Sequence, residues 1–409
     1  MKKLRIVLTF LLLIMLVLYY HPLFLGGLNA EANSNILSKP IQILTVVVFA
    51  LSLRTNILAN QFIRLFIITF LLLNFQLLFF DVLNFYDVYS YLRSFLLIPL
   101  IAVIIGYNMN ADKKMLVYFL TTYIVMTIVV GVSQVLWGVG GFSIENTFIS
   151  GKNSFGCILA TSFFLSVIFL FSSKNKKTLC LSLGSCLLLF VILLTVRTRT
   201  ATLASVCLML FYSYFKVKKI ELSRKIKINL LALSVFFLVF VLFRYAYTGI
   251  LFTDSIDNYI YASFFQNHES DFTSGRLNLV HTAVEILEES PFWGRLTLKV
   301  ANYYWIHNFF FKILSDLGIF GGIIILAFYF FIPIFCLRKI ILSKYITLAN
   351  CGYFVILVPY FISLAEPTFP FSPGTPVFLP FMMLGIALKR DHIHKKESLE
   401  AFYNMQKAD

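Results

Sequence analysis

Residues 273–322 read TSGRLNLVHTAVEILEESPFWGRLTLKVANYYWIHNFFFKILSDLGIFGG, and the rest of the chain reads as scaffold for them. Leu277, Val280, Ala283, Val284 and Leu287 fall at helical spacing on one stripe. With Thr273 or Ser274 as N-cap and Pro291 just past the end, this predicts a helix laid along a membrane surface. Its charges sit at the unfavourable ends: Arg276 is in the first turn, where the macrodipole is positive, and Glu285, Glu288 and Glu289 are near the last, where it is negative. Each misplacement costs roughly a few tenths of a kcal/mol. An arginine beside free backbone amides suits an anion, and phosphate is the obvious candidate. The stretch then turns into the bilayer at Tyr303-Tyr304-Trp305-Ile306-His307-Asn308. An apolar helix follows, carrying Asn308, Lys312 and Asp316 four apart on one face. Lys312 and Asp316 read as an i,i+4 ion pair inside the bundle, and Gly318 with Gly322 as a GxxxG site of close helix packing.

Composition places the whole chain in the membrane. Hydrophobic residues make up 59% and charged residues 13%, with a mean hydropathy of +0.86, more apolar surface than a soluble domain of 409 residues can hide. The fold expected is all-α, one integral membrane domain over 1–409 with about 12 transmembrane helices. Apolar runs put the spans near 5–25, 40–53, 62–81, 91–107, 115–137, 154–172, 178–196, 199–215, 228–247, 307–337, 346–364 and 375–388. The first run is read as a retained helix rather than a signal peptide, since no small-residue cleavage site follows it directly.

The formal charge of +15 invites a nucleic-acid reading, which fails once the charges are placed. Lys2, Lys3 and Arg5 keep the N-terminus cytoplasmic, and twelve spans return the C-terminus to the same side. Most of the 34 Lys and Arg, but a minority of the 19 acids, then fall on the cytoplasmic side, so the basic balance is sidedness and its partner is the anionic inner leaflet. The six cysteines fall within spans, and no CxxC or Cys/His spacing points to a metal.

The outer connections are short except residues 248–306, a large extracytoplasmic loop too long for a connector and therefore read as functional. Facing it, Thr195-Val196-Arg197-Thr198-Arg199-Thr200-Ala201 is barely a loop, so two guanidiniums sit at the outer membrane surface. Arg93 and Arg244 lie near the same level and read as snorkelling side chains. Arginines converging at headgroup depth suit a lipid-linked pyrophosphate. Trp137, Trp293 and Trp305 read as an interfacial aromatic belt, with sugar stacking as the competing reading for the last two.

These pieces resemble the O-antigen ligase and polymerase family of membrane glycosyltransferases. The resemblance rests on Arg199-Thr200-Ala201, on Gly151-Lys152-Asn153-Ser154-Phe155-Gly156, and on Ser274-Gly275-Arg276 with a helix ending Ser290-Pro291-Phe292-Trp293-Gly294. His307-Asn308 followed by Gly318 and Gly321 completes it. One departure is Leu296, where such proteins tend to have a second glycine two residues after the one at 294. The resemblance implies a bacterial cytoplasmic-membrane enzyme acting on polyprenyl-pyrophosphate-linked glycans at the outer face. Arg276 and Arg199 would hold the diphosphate and His307 would assist the acceptor hydroxyl, with Arg197, Asn153 and Asn308 as substrate-binding candidates and no metal or cofactor. A flippase and a chain-length regulator are the expected protein partners. Polymerase is the leading activity and ligase the alternative. A glycolipid flippase is the alternative of another class, which would want deep charges and short loops. The chain has no Asp-x-Asp, HExxH or GxxxxGK, so nucleotide-sugar, zinc and ATP mechanisms have no support in the sequence.

Overall fold

Apolar runs separated by brief polar links fold as helices, and all the regular structure described in the computed structural model is helical. The described residues are 2–24, 36–53, 55–78, 95–109, 112–136, 152–173, 175–196, 198–219, 276–294, 306, 308–343, 347–348, 350–364, 366, 369–371 and 375–406. The helices are α1 (Lys2–Leu18), α2 (Ser38–Ser52), α3 (Gln61–Leu78), α4 (Leu97–Asn108), α5 (Lys113–Leu136), α6 (Lys152–Ser172), α7 (Lys176–Thr195) and α8 (Arg199–Lys219). After the undescribed residues come α9 (Arg276–Glu289), α10 (Phe309–Leu342), α11 (Gly352–Val355), α12 (Leu357–Ser363) and α13 (Phe378–Gln406).

Four of these helices are long and apolar enough to cross a membrane: Lys113–Leu136, Asn153–Ser172, Lys176–Thr195 and Phe309–Leu342. The chain is therefore an all-α integral membrane protein. Several boundaries differ from the apolar runs. The first helix stops at Leu18 instead of running to 25, and the last continues as helix to Gln406 instead of ending at 388. The 346–364 run is split into α11 and α12, because Pro359 has no N–H to give the carbonyl of Val355 four residues earlier. The fourth run yields only the 12-residue α4, entered through Leu96 in a left-handed conformation (φ 69°). The ninth predicted span, 228–247, and most of the 248–306 loop lie outside the described residues.

Backbone contact sets the centre of the molecule. On α13, Gly385 lies against the Val103 carbonyl of α4, and Gly106 of α4 lies against the Met382 carbonyl. Gly352 of α11 meets the Met383 carbonyl in the same way, so a Cβ at any of the three would collide with main chain. Van der Waals packing of this kind is what holds helices together where lipid tails are as apolar as leucine. Around this spine Phe62 and Phe66 of α3 pack on α10, with Phe66 and Phe328 ring centroids 4.7 Å apart.

The long α10 is not one straight rod. Gly318 has φ 65° and ψ −171°, a glycine-only conformation that interrupts the helix. Two N–H groups freed by the break donate outside the helix, Ile319 to the Pro291 carbonyl at 2.9 Å and Phe320 to the Phe292 carbonyl at 3.1 Å. The acceptors belong to the turn that ends α9, where Gly294 (φ 61°) lies against the backbone of Ser315, Asp316 and Gly318. A stacked pair, Phe292 over Phe320 at 5.0 Å, covers the joint. Gly318 is thus closely packed, but against a turn rather than a second helix, while the atoms nearest a Cβ at Gly322 belong to Ile313 and Leu314 of its own helix, so the pair does not form the expected helix-packing site. On α9 itself the buried stripe holds Ala283 and Ile286, while Val284 is exposed, so the face turned to the protein is rotated from the predicted stripe. The cause is the docking of its C-terminal turn on α10.

Below the kink, Lys312 Nζ and Asp316 Oδ2 form the expected i,i+4 pair at 2.6 Å, both side chains 1% exposed. Lys312→Met should destabilise the protein by about 3–5 kcal/mol by removing the cation that meets a buried carboxylate at 2.6 Å, and Lys312→Met/Asp316→Leu should regain most of that. Thermal unfolding of the detergent-solubilised variants measures both. In the same assay Gly318→Ala should lower the melting temperature by several degrees, since it adds about 1–3 kcal/mol of backbone strain and a collision with Phe292. Gly322→Ala should shift it much less, because a Cβ there meets Ile313 Cγ2 at 3.3 Å, a movable side-chain atom.

Candidate active site at one end of the bundle

Helix starts crowd one end of the protein, here called the Asn308 end. α6 starts at Lys152, α8 at Arg199, α10 at Phe309 and α13 at Phe378, while α1 and α12 finish at the same level. Several side chains interlock there. The Gln134 amide donates to the Tyr20 carbonyl at 2.6 Å, and the Thr375 hydroxyl donates to the Tyr20 hydroxyl at 3.0 Å. Tyr20 in turn packs on Phe155 with ring centroids 5.6 Å apart. Phe309 stacks on Phe95 at 5.9 Å and meets Phe371 edge-on at 5.8 Å. Each helix start leaves backbone N–H groups without intrahelical partners, so this end is rich in donors.

Asn153 is the second residue of α6 and half-buried. One turn later Gly156 packs against Thr198, leaving no room for a Cβ. That contact brings the start of α6 to the link that joins α7 to α8, with Asn153 at the former and Arg199 at the latter. Thr198 is itself buried, and its hydroxyl makes no hydrogen bond among the described residues. Arg199 opens α8 and Arg276 opens α9, and the side chains of both lie outside the described residues, as does Arg197 altogether. A cation in the first turn of a helix opposes the macrodipole, which makes sense if an anion is meant to join it there.

Asn308 has two tasks. Its Oδ1 accepts from the Phe311 N–H at 3.2 Å, capping α10, and its Nδ2 donates to the Leu364 carbonyl at 2.9 Å. The second bond ties the start of α10 to the end of α12, which packs against α6 and α8. Ile306, on the other side of His307, is fully buried. His307 lies outside the described residues, between two neighbours that are held.

The structure thus gathers the backbone positions of Asn153, Arg199 and Asn308 at one end. Among the described residues, Arg276 is joined to them through α9, whose opposite end is fixed on α10. Sequence reading quoted Thr198 and Gly156 inside motifs without pairing them, and did not single out Glu366, which is buried two residues beyond the Leu364 carbonyl that Asn308 holds. A lone acid in the segment AEPTFPFSPG was the available signal for Glu366. The six cysteines are all free, with Cys157 buried against the Pro376 carbonyl.

No curated protein matches the chain. Residues 184–326, less than half of the chain, match the family model described as O-Antigen ligase. That segment contains Arg197, Arg199, Arg276, His307 and Asn308 and leaves out Asn153. It runs from the middle of α7, through the arginine link and the helix docked on α10, to just past the Gly318 kink, and over that segment the chain is similar to the O-antigen ligase family.

Proposed function

We propose that this protein is a polysaccharide polymerase of the bacterial cytoplasmic membrane, joining polyprenyl-pyrophosphate-linked repeat units at the outer face. The observation that carries the reading is the gathering of helix starts at the Asn308 end within and beside the family-matched segment. The chain then crosses the membrane twelve times with both termini cytoplasmic, and residues 248–306 form the outer loop that brings Arg276 over the site.

In the proposed reaction the acceptor hydroxyl oxygen attacks the anomeric carbon of the donor in line. The carbon–oxygen bond to pyrophosphate breaks, and polyprenyl pyrophosphate leaves with the bonding pair, inverting the anomeric centre. His307 takes the proton of the acceptor hydroxyl. Arg199 and Arg276, with Arg197 alongside and the backbone donors of the helix starts, stabilise the charge that grows on the diphosphate without a metal ion. Asn153 and Asn308 border the substrate. Membrane lipids surround the site, and a flippase and a chain-length regulator act before and beside it.

The family model is described as a ligase, and this favours a second reading in which the same groups move a finished glycan onto a lipid or protein acceptor. Purified protein in proteoliposomes with one lipid-linked repeat unit separates the two. Chain growth from that substrate alone is the polymerase result, and transfer only after a second acceptor is added is the ligase result. His307→Ala should slow either reaction by about 10²–10⁴-fold. Arg276→Ala and Arg199→Ala should each cost about 10²-fold or more, consistent with loss of one charge-stabilising donor. Full activity of a correctly inserted His307→Ala protein would remove the proposed mechanism. Asn308→Ala should lower stability by about 1–2 kcal/mol, read as a lower melting temperature, through loss of the cap and of the bond to Leu364.

A further inference from the structure

The opposite end of the bundle, where α10 and α13 leave the apolar core, carries a groove that the transfer reaction does not use. Two cavities of about 410 and 480 Å³ adjoin there, and Phe335, Lys339 and Asp391 line both. Asp391 Oδ2 accepts from Lys339 Nζ at 2.6 Å and from the Tyr353 hydroxyl at 2.9 Å. The carboxylate between the cavities is therefore already matched by a cation. Arg64 lines one cavity and Arg338 the other, both are exposed, and neither has an acidic partner among the described residues. The groove as a whole presents two uncompensated guanidiniums.

What lies next to each arginine narrows the ligand. On α3, Arg64 continues at helical spacing into the exposed Ile68 and Leu72, and on α10 Arg338 sits between the exposed Ile334 and Ile341. Each arginine thus lies on an apolar stripe of side chains that are exposed among the described residues. The two helices are in contact, with Phe62 and Phe335 ring centroids 5.1 Å apart, so the stripes flank one groove. A soluble anion would use the arginines and leave the stripes unmatched. A two-chain phospholipid uses both.

We propose that this groove is a binding site for an anionic phospholipid, with its phosphate between Arg64 and Arg338 and its acyl chains along the stripes of α3 and α10. Basic pockets between membrane helices suit such headgroups. Phosphatidylcholine has the same phosphate but brings a quaternary ammonium beside two arginines, which disfavours it. Phosphatidylglycerol adds hydroxyls and no cation.

Native mass spectrometry of the full-length protein, released from detergent micelles holding equal amounts of phosphatidylglycerol and phosphatidylcholine, tests the site. Phosphatidylglycerol should be retained in preference. Arg64→Gln/Arg338→Gln should lower its bound fraction about tenfold or more, whereas Lys113→Gln/Lys114→Gln, which removes two cations from the same end outside the groove, should leave it unchanged. Both arginines are exposed, so the variants should keep the parent's melting temperature. Arg64→Lys/Arg338→Lys should restore part of the binding. Equal retention of the two lipids, or equal loss in the lysine variant, would show only a diffuse basic surface and overturn the proposal. Displacement of the lipid by inorganic phosphate alone would mark a free-anion site and overturn it as well.

Discussion

Two glycines facing each other hold this structure in its working form. Gly318 breaks the longest helix, and the break turns two backbone N–H groups toward the Pro291 and Phe292 carbonyls at the end of α9. An unpaired amide is expensive in an apolar environment, so the kink is tolerable only while the turn is docked, and the turn can dock only because neither Gly294 nor Gly318 carries a Cβ. The joint therefore fixes two things together: the direction of the first part of α10, which begins at Asn308, and the position of α9, which begins at Arg276. Each candidate group at those helix starts depends on a contact at the far end of its own helix.

The Asn308 end is built mostly from neutral donors held rigidly. The start of α10 is capped by its own Asn308 and tied to Leu364, the start of α6 is pressed on Thr198, and Tyr20 joins α1 to Gln134 and Thr375. One turn below, Lys312 and Asp316 cancel each other in a fully buried pair. A buried pair of this kind contributes little net stability but is costly to break, which favours a role in fixing register over one in binding. Lys152, Arg199 and Arg276 each open a helix, where a cation opposes the macrodipole and would suit a bound anion.

The opposite end follows a different logic. There Asp391 joins α10, α11 and α13 by accepting from Lys339 and Tyr353, while arginines on α3 and α10 have no acidic partner among the described residues and lie beside apolar stripes. The two ends share a spine of backbone contacts at Gly106, Gly352 and Gly385, so neither can shift without disturbing the tightest packing in the molecule. The proposed chemistry at one end and the proposed lipid site at the other would rest on the same three helices.

Much of this was legible in the residues. Apolar runs mark membrane helices because no other structure satisfies the backbone in lipid, and the i,i+4 spacing of Lys312 and Asp316 leaves them few alternatives to each other. The order of Arg199, Arg276 and His307 also pointed to the family that residues 184–326 match. What the sequence could not show was set by contacts between distant segments. The spacing of Gly318 and Gly322 predicts helix packing, whereas the partner of Gly318 is a turn some 25 residues earlier and Gly322 faces its own helix. The rotated face of α9, the pairing of Gly156 with Thr198 and the bond from Asn308 to Leu364 were likewise decided by tertiary structure, since each depends on which backbone arrives there and not on the local pattern that periodicity reports.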